Sequence, residues 1–199
     1  GTLMEFKGMP PVWTDYYKNG FEYINNKFKL DLTEEGIDKS VDIMKSYNPR
    51  TSYREQEISP FEIFKNATDN WNSKIDLEKI VDSFFDGINL EPIIYDYSFD
   101  LLEKYKSDGY LIACLTDLPS GMPDYIFKKP LNKLIDKLDL YVSSQSCGYT
   151  KPNRFGLDYI ADHFNIDVTK LLFIGDEEKD KQAAENAGCE FKFIEDVLK

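Results

Sequence analysis

The sequence predicts an α/β protein: a parallel sheet with helices on both faces, joined to a small all-helical domain. Residues 12–90 repeat apolar side chains at helical spacing and nowhere alternate as a strand does. Residues 93–199 alternate amphipathic helices with short, near-continuous apolar runs. That second pattern is typical of parallel strands joined by right-handed crossovers and buried on both faces. Size agrees: 199 residues, 42% of them apolar, suffice for a domain carrying a smaller one.

In the helical half, Tyr17, Phe21, Ile24 and Phe28 share one face. Thr33 is placed to cap a second helix carrying Ile37, Val41 and Met44. Ser59 before Pro60 marks a third start, a cap followed by proline at the first helical position. Ile80 and Phe84 belong to a fourth, which Gly87 can stop. The expected organisation is a linker over 1–10, a bundle of about four helices over 11–92, and an α/β core over 93–199. The 14 Phe and 13 Tyr make that interior aromatic-rich, and the aromatic positions of the bundle read as core.

In the second half, SFDLLEKYKSDG, KPLNKLIDKLD, PNRFGLDYIADHF and EKDKQAAENAG read as helices. Strands are expected near 111–116, 140–144, 171–175 and 191–194. In such sheets ligands bind at the carboxyl ends of the strands, so polar residues just after strands matter most.

Thirty-six acids against 24 bases leave a formal charge of −12. Such a chain repels phosphate backbones, which argues against nucleic-acid binding. A small anionic substrate stays open, because a metal ion inverts the local field. Cys114, Cys147 and Cys189 are scattered and odd in number, which suits a reducing compartment. No leader-like segment and no apolar run near 18 residues appears, so no membrane contact is expected and a soluble, cytoplasmic protein is the expectation.

Three strand ends stand out. The run YLIACL ends in Thr116-Asp117, KLLFI ends in Gly175-Asp176, and LYVSS leads into a loop bearing Lys151. Asp176 and Asp180 together can hold a hard cation such as Mg²⁺. Taken alone they also read as a strand-end loop and an acid favoured by a helix dipole. Lys151 alone is one surface lysine of many, and Thr116 alone a routine hydroxyl. Together they place a hydroxyl, an ammonium and an acidic pair at one sheet edge. All three stabilise negative charge on oxygen, which phosphoryl transfer needs. A nucleophile is not among them.

These segments resemble the haloacid dehalogenase superfamily. LIACLTD is similar to its second motif, with Thr116 as the hydroxyl. SSQSCGYTKPNRF is similar to its third, with Lys151 as the lysine. LLFIGDEEKDKQAAENAG is similar to its fourth, with Asp176 and Asp180 as the acids. The helical segment resembles the family's C1-type cap. Asn153 departs from the Asp that many relatives place after Lys-Pro. The first motif ends in Gly-Thr-Leu, which here is Gly1, Thr2 and Leu3. The resemblance therefore implies a nucleophilic Asp three residues before Gly1, carried on a central strand that is missing from these 199 residues, with the order 5-4-1-2-3. A shortened gene model is the expected reason.

What the resemblance implies is a Mg²⁺-dependent phosphatase. It would act on a small phosphorylated metabolite through an aspartyl-phosphate. Thr116 and Lys151 would hold phosphate oxygens, and Asp176 and Asp180 would serve the metal. Arg50 and Arg54 are candidates for an anionic substrate tail, or else part of a charge-compensated loop. His163, late in a helix, reads as a dipole partner. A dehalogenase, a sugar phosphomutase and a catalytically inactive relative stand as alternatives. Residues 1–199 alone are expected to be inactive.

Overall fold

The computed structural model describes residues 1–10, 12–72 and 74–199. Four helices build the first half: α1 (Tyr17–Phe28), α2 (Glu34–Ser46), α3 (Pro60–Ala67) and α4 (Leu77–Ile88). A single 3₁₀ turn, Thr14–Tyr16, precedes α1. Thr33 caps α2 as expected, its hydroxyl accepting the Gly36 N–H at 3.1 Å. Ser59 stands at the cap of α3 with Pro60 following, but its side chain makes no capping bond.

Phe21, Phe64 and Phe84 are fully buried at the centre. Phe84 meets Phe21 and Phe64 edge-on with centroids 4.9 Å apart in each pair, the arrangement the ring quadrupole favours. Gly87 does not end α4. The helix runs to Ile88 and closes on Asn89 in the left-handed region. A Cβ on Gly87 would lie 2.5 Å from Tyr23 Cβ, and one on Gly20 would lie 2.5 Å from the Phe84 ring. The two glycines let α1 and α4 approach closely.

Before and after this bundle the chain forms a short antiparallel ribbon. Strand β1 (Met4–Phe6) pairs with β2 (Pro92–Ile94), Met4 opposite Ile94. The sequence reading has a linker at 4–6. Three residues are too few to display an alternation, and the partner lies at the far end of the bundle.

The second half begins with α5 (Tyr97–Ser107) and β3 (Ala113–Thr116). A helix not expected from the sequence, α6 (Asp124–Lys128), comes next, and the helix expected from KPLNKLIDKLD is reduced to a 3₁₀ turn at Lys129–Leu131 and the short α7 (Asn132–Ile135). Pro130 lacks the N–H that a continuous helix needs there. Strand β4 (Leu140–Ser143) is followed by the one-turn α8 (Ser144–Cys147). Then come α9 (Phe155–Phe164), β5 (Leu172–Gly175), α10 (Glu178–Ala187), β6 (Glu190–Phe193) and α11 (Ile194–Val197).

The strands pair in parallel, but as two couples. Ala113–Thr116 register with Leu140–Ser143, and Leu172–Gly175 with Glu190–Phe193. Among the described residues no ladder joins β3 to β5. A cavity of about 490 Å³ lies between them, lined by β3, β5 and residues of flanking α5 and α9. Near-continuous apolar strands predict burial on both faces. Here every residue of β3 and all but Gly175 of β5 are short of full burial, because their inner edges open on this slot.

The two halves share one apolar cluster. Leu118, Met122, Phe127 and Leu131 join the side chains of the helical bundle. A smaller cluster of Leu157, Ala183, Ala184 and Ala187 seals α9 and α10 against the other face.

Candidate active site

The carboxyl ends of β3 and β5 stand at one end of the slot. Thr116, Lys151, Asp176 and Asp180 all line it, together with Gly1 and Thr2. The four residues singled out in the sequence are thus brought together by the fold.

Residues 1–3 are tied firmly here. The Thr2 hydroxyl donates to Asp176 Oδ1 at 2.7 Å, and the Gly1 amino group lies 3.8 Å from the same oxygen. Tyr97 OH donates to the Thr2 carbonyl at 2.8 Å, and the fully buried Ser98 donates to the Leu3 carbonyl at 2.7 Å.

Asp180 opens α10. Its Oδ2 accepts the N–H groups of Asp176 and Glu177 at 3.1 and 3.0 Å. Its Oδ1 lies 2.7 Å from Lys151 Nζ. This fold-back explains Gly175, since a Cβ there would sit 2.5 Å from Asp180 Cβ. Burial pushes the Asp180 carboxyl up, but the Lys151 ammonium and the two N–H groups outweigh it and hold it below the usual range. Burial likewise works against the Lys151 charge, and Asp117 and Asp180 overcome it, so the ammonium is held above its ordinary value. The Lys151–Pro152 peptide bond is cis.

Three further residues complete the arrangement. Asp117 accepts the Lys151 backbone N–H at 3.1 Å and the Lys179 ammonium at 2.9 Å. Lys179 also lies 3.1 Å from Glu177 Oε2. Glu177 Oε1 accepts from Arg50 of the helical half at 2.6 Å. Burial raises the Glu177 carboxyl, while Arg50 and Lys179 bring it below its ordinary value. Asp117 was legible as a strand-end acid. Lys179 and Glu177 sit in a charged run whose partners only the fold reveals.

Arg54 does not face the site as a free cation. Its guanidinium donates to the carbonyls of Tyr47 and Gln56 and to Glu57. It braces its own loop, the second of the two readings open for it. His163 meets Phe164 edge-on in the last turn of α9 and does not line the slot. Cys114 does line it, and burial pushes its thiol up to about 11.

As to a metal, Asp176 supplies a hard oxygen at a strand end, the donor that Mg²⁺ prefers. Asp180, expected beside it, has both oxygens engaged as described. Among the described residues no group of three or more acidic, His or Cys side chains gathers. The residues present fit one corner of a Mg²⁺ site and leave further oxygens to be supplied.

Parallel strands with a hydroxyl, a lysine and acids at one end of the slot between them make this an α/β protein with its candidate site at the strand ends. The sequence pattern of the haloacid dehalogenase-like hydrolases matches residues 26–194, and the chain belongs to that family. It is 29% identical over 107 residues to the phosphoglycolate phosphatase of Aliivibrio fischeri, covering 53% of this chain and 46% of that one. The Pasteurella multocida phosphoglycolate phosphatase is 30% identical over 109 residues, covering 53% and 47%. The matches thus span about half the length of these curated relatives. In fold it is similar to a Bacteroides thetaiotaomicron enzyme of the same family in complex with magnesium and inorganic phosphate, with a TM-score of 0.56 and 19% identity over 97% of this chain and 89% of that one. No helix among the described residues is long and apolar enough to cross a membrane.

Proposed function

We propose that this chain belongs to a phosphatase that hydrolyses a small phosphomonoester. The observation that supports the reading best is the convergence of Thr116, Lys151 and Asp176 at one end of the slot, with Thr2 against Asp176. On this reading a fifth parallel strand, N-terminal to Gly1, fills the slot and pairs with the open edges of β3 and β5. It delivers an Asp-x-Asp to the mouth of the site. The first carboxylate attacks phosphorus as the ester P–O bond breaks, forming an aspartyl-phosphate, and the second Asp gives its proton to the departing alcohol. That Asp then takes a proton from the water that attacks phosphorus, releasing inorganic phosphate and the free carboxylate.

Lys151 and the Thr116 hydroxyl hold the equatorial oxygens, where negative charge is carried in the transition state. Thr116 is free for this, its contact to the Asp117 carbonyl being long at 3.5 Å. Asp176 would hold Mg²⁺, which supplies Lewis-acid neutralisation of the phosphate when bound. Asp180 serves the site through Lys151 and the Asp176 backbone. On this reading the helical half, which meets the site's rim through Arg50 on Glu177 and segment 54–57 on the Lys151 loop, would exclude bulk water. The curated relatives suggest a phosphorylated carboxylate such as phosphoglycolate as the substrate class, with Arg50 of the helical half, which reaches Glu177, as the candidate for its carboxylate.

The test compares the 199-residue chain with a form extended by an apolar strand ending in Asp-x-Asp before Gly1. Both are assayed with p-nitrophenyl phosphate and with 2-phosphoglycolate, with and without Mg²⁺. Turnover by the extended form alone, and only with Mg²⁺, is the expected result. Turnover by residues 1–199, or an inert extended form, overturns the reading.

A further inference from the structure

Lys151 is mounted from two sides. The core side is Asp117, which accepts the Lys151 N–H. The other side belongs to the helical half. Segment 54–57 runs antiparallel to residues 148–150, with Gln56 bridged to Tyr149. Glu57 N–H donates to the Gly148 carbonyl at 2.9 Å, and Thr150 N–H donates to the Glu55 carbonyl at 2.6 Å.

The Thr150 side chain adds to this. It is 3% exposed, and its hydroxyl lies 3.1 Å from the Arg54 carbonyl and 3.2 Å from that of Glu55. Asn153, on the far side of Lys151, donates to Glu55 Oε2 at 2.7 Å. An Asp at that position would set two carboxylates face to face, so the departure at Asn153 has a local reason. Segment 54–57 is itself braced by Arg54 on Tyr47, Gln56 and Glu57.

We propose that Thr150 is a positioning residue for Lys151, and that segment 54–57, lying against its loop, keeps the lysine in register with its core partners. This rests on Lys151 being the phosphate-binding lysine proposed above. The core holds residues 148–153 through Asp117 on the Lys151 N–H, Asp180 on the Lys151 ammonium, the Ser144 carbonyl on the Gly148 N–H and the Asn186 amide on the Pro152 carbonyl, but among these none takes Thr150 itself. The helical half holds the residue immediately before the lysine by backbone and side chain at once. Movement of the helical half that breaks these bonds therefore loosens the loop from which Lys151 reaches Asp180 and couples that half to the phosphate-binding charge.

The experiment uses the 199-residue chain and needs no turnover. Amide hydrogen exchange over residues 148–153 and the rate of Lys151 acetylation by acetic anhydride are read by mass spectrometry. The variants are Thr150→Val, which deletes the hydroxyl at constant shape, Thr150→Ser, which keeps it, and Asn153→Asp. Thr150→Val should speed loop exchange and Lys151 acetylation by roughly fivefold, the scale of one lost hydrogen bond. Exchange in α4 should stay at the wild-type rate, and Thr150→Ser should restore both readouts. Asn153→Asp should loosen the same loop through repulsion and tests the inference even if Thr150→Val does not fold. Wild-type rates in Thr150→Val and Asn153→Asp, equal loosening of α4, or failure of the serine to restore overturns the proposal. An inert extended enzyme speaks against the function above and leaves these readouts to decide the positioning role separately.

Discussion

Lys151 Nζ and Asp180 Oδ1 are 2.7 Å apart, with side chains only 11% and 3% exposed. One arrives from the loop after α8 and the other from the first turn of α10. Removing one partner of such a pair typically costs about 3–5 kcal/mol, because the survivor stays buried and uncompensated. Lys151→Met should therefore lower stability by about 3 kcal/mol in urea titration. Lys151→Met combined with Asp180→Leu should recover part of the loss. A neutral single variant would show that water screens the pair.

Acid should find the same contact. The Asp180 carboxyl is held below its ordinary value in the fold, so its contribution is complete above the unfolded carboxylate range near 4. It is lost as pH falls through the lower, folded value. Glu177 behaves in the same direction. Thermal midpoints followed from pH 7 to pH 2 should fall below about pH 4, and less steeply in Asp180→Asn. An equal slope in that variant would contradict the assignment.

Cys114 reports on the slot. Its thiol is pushed up to about 11 by burial, so thiolate is scarce at neutral pH. Labelling of Cys114 by a small disulfide reagent should rise about tenfold per pH unit from 7 to 9 without levelling, as expected for a thiol titrating well above that range. In the form extended by a strand before Gly1 the labelling should be suppressed. Equal labelling in both forms would mean that the added residues do not enter the slot.

The α1–α4 contact depends on two missing side chains. Gly20→Ala and Gly87→Ala place a Cβ 2.5 Å from Phe84 and Tyr23 atoms. Each should destabilise by about 1–3 kcal/mol through overpacking, despite the better helix propensity of alanine. Chemical denaturation decides it, and a stabilised Gly87→Ala would show that Tyr23 can move aside.

Arg50 and Glu177 join the two halves at 2.6 Å with both side chains partly exposed. Arg50→Ala should change stability by less than about 1 kcal/mol, as for exposed pairs. In the extended enzyme it should raise KM for phosphoglycolate more than for p-nitrophenyl phosphate, which lacks the carboxylate. Equal effects on the two substrates would remove Arg50 from substrate recognition.

Much of this was legible beforehand, because it is written in local patterns. Helical spacing in Phe21 and Ile24 located the first bundle helix, and Thr33 marked where the second starts. Apolar runs located β3 to β6, and the residues after them located Thr116, Lys151, Asp176 and Asp180. Such signals need only a few neighbouring residues, so one sequence carries them. What escaped lies in pairs far apart in the chain. The ribbon of Met4–Phe6 with Pro92–Ile94, the hold of Asp117 on the Lys151 loop and the seam from Glu55 to Thr150 have no local signature. Gly87 misled because a glycine near a helix end reads as a stop, while its use here is room for Tyr23. The separation of the sheet into two couples likewise belongs to the tertiary structure. Each strand is specified by its own apolar run, but a ladder forms only between edges that meet, and β3 and β5 meet the slot instead. Sequence by itself determined which polar residues stand at the strand ends, the ones proposed above to carry the chemistry. Tertiary packing alone decided what holds them, since hydrogen bonds and ion pairs across the chain exist only once the fold has brought their partners within 3 Å or so of each other.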